Sequence, residues 1–308
     1  MENIYDVIVI GGGVAGASAG MYAARFNLKT LVFAAVPGGL ITTTHLVENY
    51  PGIKSITGPD MGVLFIEHAR ETGAEFQFSL VKQINKLSEK NYPIFEVIDS
   101  SDKKYYAKTI VLATGTNHKH LGVPGEKEYS SKGVSYCALC DAVFFKNKVV
   151  AVVGGGDSAA IEAKILADHA AKVHVFVRGD AMRAEPINLQ RIEQNEKIQI
   201  HYQTEIIEVL GNGNQVTSVK LKNGETIELQ GVFVAIGWDP QNELAKQLGV
   251  ELDSRGMIII NRYSETNVTG VFAAGDITNA EFKQAIIGAA EGVSASYKIY
   301  KYLESIAN

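Results

Sequence analysis

Two cysteines occur in the chain, Cys137 and Cys140, spaced C-x-x-C in Ser135-Tyr136-Cys137-Ala138-Leu139-Cys140-Asp141. Thiols three positions apart close a disulfide across one turn, so such a pair can take up or release two electrons. The spacing admits other readings. As half of a zinc site it needs two more ligands, for which His118 and His120 are the nearest candidates, and structural zinc usually shows a second tight pair. Two unconnected buried thiols are the remaining reading. A redox pair is the one that the flanking sequence supports.

Stepping outward, Tyr5 to Ile10 is a short apolar run rich in β-branched residues, as expected of a buried parallel strand. Gly11-Gly12-Gly13-Val14-Ala15-Gly16 follows with G-x-G-x-x-G spacing. A small-residue helix is expected over 17–25 and a second strand over 29–33. Strand, glycine turn, helix and strand form the dinucleotide fingerprint in its proper context. The glycines let backbone approach a pyrophosphate, and the helix start offers free N–H groups and a positive dipole. The second strand ends in Ala34-Ala35-Val36-Pro37 with no carboxylate for ribose hydroxyls, which leaves backbone groups of Gly38-Gly39 as candidates to hold the adenosine.

The unit then repeats. Lys148 to Val153 is a second buried strand, Gly154-Gly155-Gly156-Asp157-Ser158-Ala159 a second fingerprint, 160–169 its helix and 172–177 its next strand. Val232 to Gly237 mirrors Thr109 to Gly115. Arg178 falls where an adenosine 2′-phosphate would sit, with Arg183 close by, and arginine there favours NADP over NAD. A helix is expected over 60–72, a turn-rich loop over 38–52, and a strand running into Asp276 ahead of a helix over 283–303. The fold class expected is α/β with two Rossmann-like dinucleotide-binding domains, the second inserted into the first.

A length of 308 residues suits two domains. The net charge of −5 gives no reason to expect nucleic-acid binding, and no apolar run reaches the roughly 18 residues of a membrane span. Glu2 and Asp6 sit where a signal peptide would be apolar, so none is expected. Two cysteines in so long a chain fit an intracellular protein with a working dithiol, and a cytoplasmic location is expected.

Together GGGVAG, GGLITTTHLVENYPG, ATG at 113–115, CALCD, GGGDSA and GVFAAGD resemble the low-molecular-weight thioredoxin reductases over essentially the whole chain. The resemblance implies a discontinuous FAD domain, 1–117 with 246–308, and an NAD(P)H domain, 118–245, that carries the cysteines. It implies FAD on Gly11, Gly13, Val14, Ala15, Gly16, Gly38, Gly39, Leu40, Thr44, Asn49, Thr114, Gly115, Gly275, Asp276, Lys283, Gln284 and Ala285. For NADPH it implies Gly154, Gly156, Asp157, Ser158, Ala159, Arg178, Arg183, Ile236 and Gly237. Hydride then passes from NAD(P)H to FAD and on to the Cys137–Cys140 disulfide. The resemblance further implies that Cys140 is the flavin-facing thiol, that Cys137 attacks the disulfide of thioredoxin or a similar small protein, and that Asp141 moves the thiol proton. No metal is implied, a homodimer is usual, and a rotation of one domain against the other is expected. Four positions depart from the family pattern. Lys283 replaces arginine, Leu40 replaces glutamine, and Val177 and Gly179 stand where the phosphate-binding motif has basic groups. NADH, relaxed use of both nucleotides, ferredoxin as donor, or an NAD(P)H oxidase of the same architecture are the alternatives. Of these, the NAD(P)H oxidase, like a ferredoxin–NADP reductase of the same architecture, generally lacks the cysteine pair.

Overall fold

The computed structural model describes residues 4–44, 47–87 and 92–307, with the side chains of Leu139, Cys140 and Ala307 outside the description. The chain divides into two compact units, 1–116 with 240–308, and 117–239.

The first unit begins with β1 (Ile4–Ile10), α1 (Val14–Arg25) and β2 (Thr30–Phe33), then a 3-10 turn over Gly39–Thr43 and α2 (Gly58–Glu71). β3 (Glu75–Gln77), β4 (Val81–Leu87), β5 (Ile94–Asp99) and β6 (Lys104–Leu112) follow, and β7 (Thr116–His118) leaves the unit. The second unit holds β8 (Val134–Ser135), α3 (Ala138–Asp141), β9 (Val149–Val153), α4 (Asp157–Ala167), β10 (Lys172–Phe176) and α5 (Pro186–Glu193). Next come β11 (Ile198–His201), β12 (Ile206–Gly211), β13 (Val216–Leu221), β14 (Thr226–Glu228) and β15 (Gly231–Val234). β16 (Trp238–Pro240) pairs with β7, and α6 (Glu243–Gln247), β17 (Val271–Ala273) and α7 (Ala285–Ala307) complete the first unit.

In the first unit the main sheet runs β3-β2-β1-β6-β5-β4, with β17 also on β6. Its β3, β2, β1, β6 and β17 are parallel, while β4, β5 and β6 form an antiparallel meander. The second unit's sheet runs β11-β10-β9-β15-β8, parallel throughout, with β12-β13-β14 as a separate antiparallel sheet.

The apolar strands are covered on both faces, as parallel strands must be. Ile8 and Ile10 of β1 enter one core with Phe33 and Phe95, while Val7 and Val9 enter the other beneath α1 and α7. The second unit repeats this, with Val150 and Val152 packed under α4 and Ala151 and Val153 on the opposite face. The helices start earlier than 17 and 160, because each glycine fingerprint is itself the first turn, capped by extended Gly13 and Gly156. α2 likewise starts at Gly58, two residues ahead of expectation. Thr57 caps it by accepting a bond from Asp60 N at 3.2 Å, and Pro59 lies in its first turn, where a missing N–H costs nothing.

Candidate active site

Cys137 immediately precedes α3 and is disulfide-bonded. The backbone of Cys140 lies in α3, and its side chain lies outside the described residues. Asp141 N donates to Cys137 O at 3.2 Å, which closes the turn. Ser135 accepts from Cys137 N at 3.1 Å and so fixes the entry. Asp141 is at the start of the following 3-10 turn over Ala142–Phe145 but makes no side-chain cap bond there. Helix capping, the structural role open to it, is therefore not what it does.

The segment is anchored next door. Buried Glu126 accepts from Leu121 N at 2.8 Å, Gly122 N at 2.7 Å and the Tyr136 hydroxyl at 2.8 Å. Burial and the Glu126 carboxylate push the Tyr136 phenol far above its usual range. His120 Nδ1 lies 2.8 Å from the same hydroxyl. His118 packs against Trp238 with ring centroids 3.9 Å apart and the planes tilted by 36°, and burial lowers its pKa. Both histidines, the candidates to complete a zinc site, are thus engaged elsewhere, and among the described residues no metal-binding cluster occurs.

The second unit's glycine turn is built by close approach. A Cβ on Gly154 would lie 2.1 Å from Ala235 O, so β9 and the end of β15 can meet only if that residue is glycine. At Gly156 a Cβ would meet nothing within 4 Å. The space before α4 is therefore open, and no side chain caps this helix start. Free N–H groups facing an open cradle fit a pyrophosphate. Ser158 is exposed in the first turn and Ala159 is buried against the strand. Asp157 is occupied otherwise: its Oδ1 accepts from Glu185 N and Asn188 Nδ2, both at 2.9 Å, and docks α5. Arg178 is exposed just after β10. Arg183 is also exposed, and its backbone N bonds Gly155 O at 2.6 Å, which sets it beside the glycine turn. Ile236 is exposed, and Gly237 adopts φ +102 while its carbonyl accepts from Lys119 N at 2.8 Å.

The first unit repeats the cradle. A Cβ on Gly11 would lie 1.9 Å from Ala113 O, whereas one on Gly13 would meet nothing nearer than 3.7 Å. Val14, Ala15 and Gly16 are buried in the uncapped first turn of α1. Gly38 N donates to Gly12 O and Gly39 N to Val36 O, both at 3.0 Å. The N–H groups of these two residues are thereby committed within the loop, and the Gly39 carbonyl is committed too, accepting from Thr42 Oγ1 at 2.8 Å. Leu40 lies in the 3-10 turn that follows, and Thr44 ends it, with its carbonyl accepting from Gly58 N at 3.0 Å. Asn49 and Gln284, far apart in sequence, meet at 2.9 Å. Thr114 donates to Gln241 O at 2.7 Å, and Gly115 O accepts from Gln241 N at 3.0 Å.

Gly275 and Asp276 follow β17. No described residue hydrogen-bonds the Asp276 carboxylate, and burial raises its pKa against the opposing pull of Lys283. A largely enclosed carboxylate without a partner suits a polyol ligand. Lys283 Nζ donates to Asp276 O at 3.0 Å and to Thr278 O, and burial lowers its pKa. Ala285 opens α7 directly after. Each unit therefore has an open glycine turn ahead of an uncapped helix start, the arrangement a dinucleotide pyrophosphate needs.

Two groups were not anticipated. Glu291 in α7 accepts from Gly275 N at 2.7 Å and from Thr278 Oγ1 at 3.2 Å, holding the Asp276 turn from below. Its signal was a lone acid inside the apolar stretch AIIGAAEGV. Glu126, the anchor of the cysteine segment, sits in a polar loop where nothing marks it as buried.

Residues 5–292 match the model of the pyridine nucleotide-disulphide oxidoreductase family. A thioredoxin reductase of Listeria innocua is 39% identical over 99% of this chain and 96% of its own. One from Bacillus subtilis is 40% identical over the same shares. The Lactococcus lactis thioredoxin reductase structure superposes with a TM-score of 0.92 at 37% identity, covering 98% of this chain and 99% of that one. The T. acidophilum enzyme gives 0.91 at 37% identity over 99% and 100%. The chain belongs to the pyridine nucleotide-disulphide oxidoreductase family, in its low-molecular-weight thioredoxin-reductase branch.

Proposed function

We propose that the protein is an FAD-dependent thioredoxin-disulfide reductase fed by NADPH. The observation that carries this is the disulfide-bonded Cys137 in a C-x-x-C turn inside a unit that has its own dinucleotide cradle. The α1 start, Asp276 and Lys283 hold FAD, and the α4 start with Arg178 and Arg183 holds NADPH. When bound, FAD supplies two-electron transfer between nicotinamide and disulfide. Reduced Cys137 attacks one sulfur of the partner disulfide as a thiolate and forms a mixed disulfide. Cys140 then displaces the partner by re-forming the bond to Cys137, so the partner leaves with two thiols. Asp141, unbonded as a cap, moves the thiol proton. The FAD domain takes in 1–117 with 246–308 and the NAD(P)H domain 118–245.

Thioredoxin or a similar small disulfide protein is the partner, a homodimer the assembly and the cytoplasm the location. Among the described residues no helix is long and apolar enough to cross a membrane. The test is Cys137→Ser in the holoenzyme. Flavin bleaching by NADPH under anaerobic conditions persists, and turnover with thioredoxin falls to background; undiminished turnover would sink the proposal. Bleaching with NADH, measured separately, ranks the donors.

A further inference from the structure

We propose that Glu205 sets how strongly this protein prefers NADPH over NADH, by competing with the adenosine 2′-phosphate for Arg178. The inference rests on the second unit being the one that binds NADPH.

Arg178 is the exposed cation that follows β10, in the loop where the adenosine ribose ends. That loop is tied down at three points. Val177 N donates to His201 O at 2.9 Å, Thr204 N donates to Val177 O at 3.0 Å, and Gln203 N donates to Gly179 O at 2.9 Å. The turn between β11 and β12 therefore runs alongside the Arg178 loop, and Glu205 follows Thr204 directly. Glu205 is fixed in turn: its carbonyl accepts from Lys222 N at 2.9 Å, and its Oε1 accepts from Lys222 Nζ at 2.7 Å. Lys222 chiefly, and Arg178 in addition, hold the Glu205 carboxyl below the usual range. Its charge is thus present at neutral pH and is felt at Arg178.

Glu205 is thus ion-paired with Lys222 and lies on the segment that is hydrogen-bonded to the Arg178 loop, which brings three charges into one neighbourhood. The neighbouring positions add no cation, because Val177 is buried, Gly179 has no side chain and Asp180 is acidic. A 2′-phosphate approaching Arg178 meets a carboxylate already using part of its field, as a rival anion. NADH carries no phosphate and is indifferent to it. Lys222 works the other way by drawing Glu205 toward itself.

The test titrates the holoenzyme with 2′,5′-ADP and with 5′-AMP by calorimetry and compares KM for NADPH and NADH. In Glu205→Gln, 2′,5′-ADP binds about threefold tighter, a size set by exposed charge pairs, while 5′-AMP is unchanged. KM for NADPH falls by the same factor and KM for NADH stays. Lys222→Met moves 2′,5′-ADP binding in the opposite direction. In an Arg178→Gln background the effect of Glu205→Gln disappears. Equal shifts for both ligands, no shift, or persistence without Arg178 overturns the proposal. Binding of neither ligand to the wild type overturns it together with the nucleotide assignment of the second unit.

Discussion

Gly154 and Gly156 make opposite predictions from positions two residues apart. Gly156 has φ −106 and ψ −176, a backbone that alanine adopts freely, and its Cβ would meet nothing within 4 Å. Alanine there gains about 0.4–1 kcal/mol from the unfolded state and loses a similar amount as a poorer N-cap, so thermal stability barely moves. The added methyl nevertheless stands in front of the first turn of α4, where the pyrophosphate accepts N–H bonds. Loss of one charge-assisted bond costs about 1.5–3 kcal/mol, or about 10- to 150-fold in NADPH affinity. Gly154→Ala behaves in reverse. Its Cβ would sit 2.1 Å from Ala235 O and 2.9 Å from Ala235 C, both backbone atoms that cannot swing aside. Overpacking of this kind costs about 1–3 kcal/mol or more, so this variant loses stability first. The assays are thermal unfolding, NADPH titration followed by flavin bleaching, and FAD content as a control. A Gly156→Ala enzyme with wild-type NADPH affinity would refute the placement of the pyrophosphate at this helix start.

Two carboxylates yield further expectations. Asp276→Asn weakens FAD binding to the apoprotein about tenfold or more, the size of a lost charged hydrogen bond, read by flavin titration; equal affinity removes Asp276 from the site. Glu162 in α4 is only partly exposed as a residue, and its enclosed Oε2 has no hydrogen-bond partner. Burial pushes its pKa up to about 8 from 4.5. The folded state then holds a proton that the unfolded chain releases, so stability falls as pH rises from about 5 to about 8, by up to about 1.4 kcal/mol per pH unit. Glu162→Gln flattens that slope in denaturant titrations; an unchanged slope shows that Glu162 does not titrate within it.

The two fingerprints were legible because strand, turn and helix lie within some thirty residues of each other and their side chains report local geometry. Val7 to Ile10 and Val150 to Val153 announce strands covered on both faces by lacking any polar alternation. The pairing of Asn49 with Gln284 and the support of Gly275 by Glu291 were not legible. Both depend on where α7 lands, and no period in the sequence encodes that. The commitment of Asp157 to α5 is a similar case, since an acid in a nucleotide turn looks the same whether it serves ligand or scaffold. Cys137 needed its surroundings, because a C-x-x-C turn alone carries no direction of electron flow.

The discontinuity of the first unit also bears on the order in which the protein is made. α7 is part of that unit's core: Ser296 donates to Ala19 O at 2.7 Å, and a Cβ on Gly292 would lie 2.2 Å from Ala15 O. β17 likewise completes the sheet by pairing with β6. On the ribosome all of 117–239 emerges before either element exists. At about 5–20 residues per second the inserted unit has several seconds in which to fold while its host waits half-built. Residues 4–112 must therefore survive that interval with the face of α1 that α7 will cover still bare. This nascent stretch, and not the finished protein, is where a chaperone would be needed.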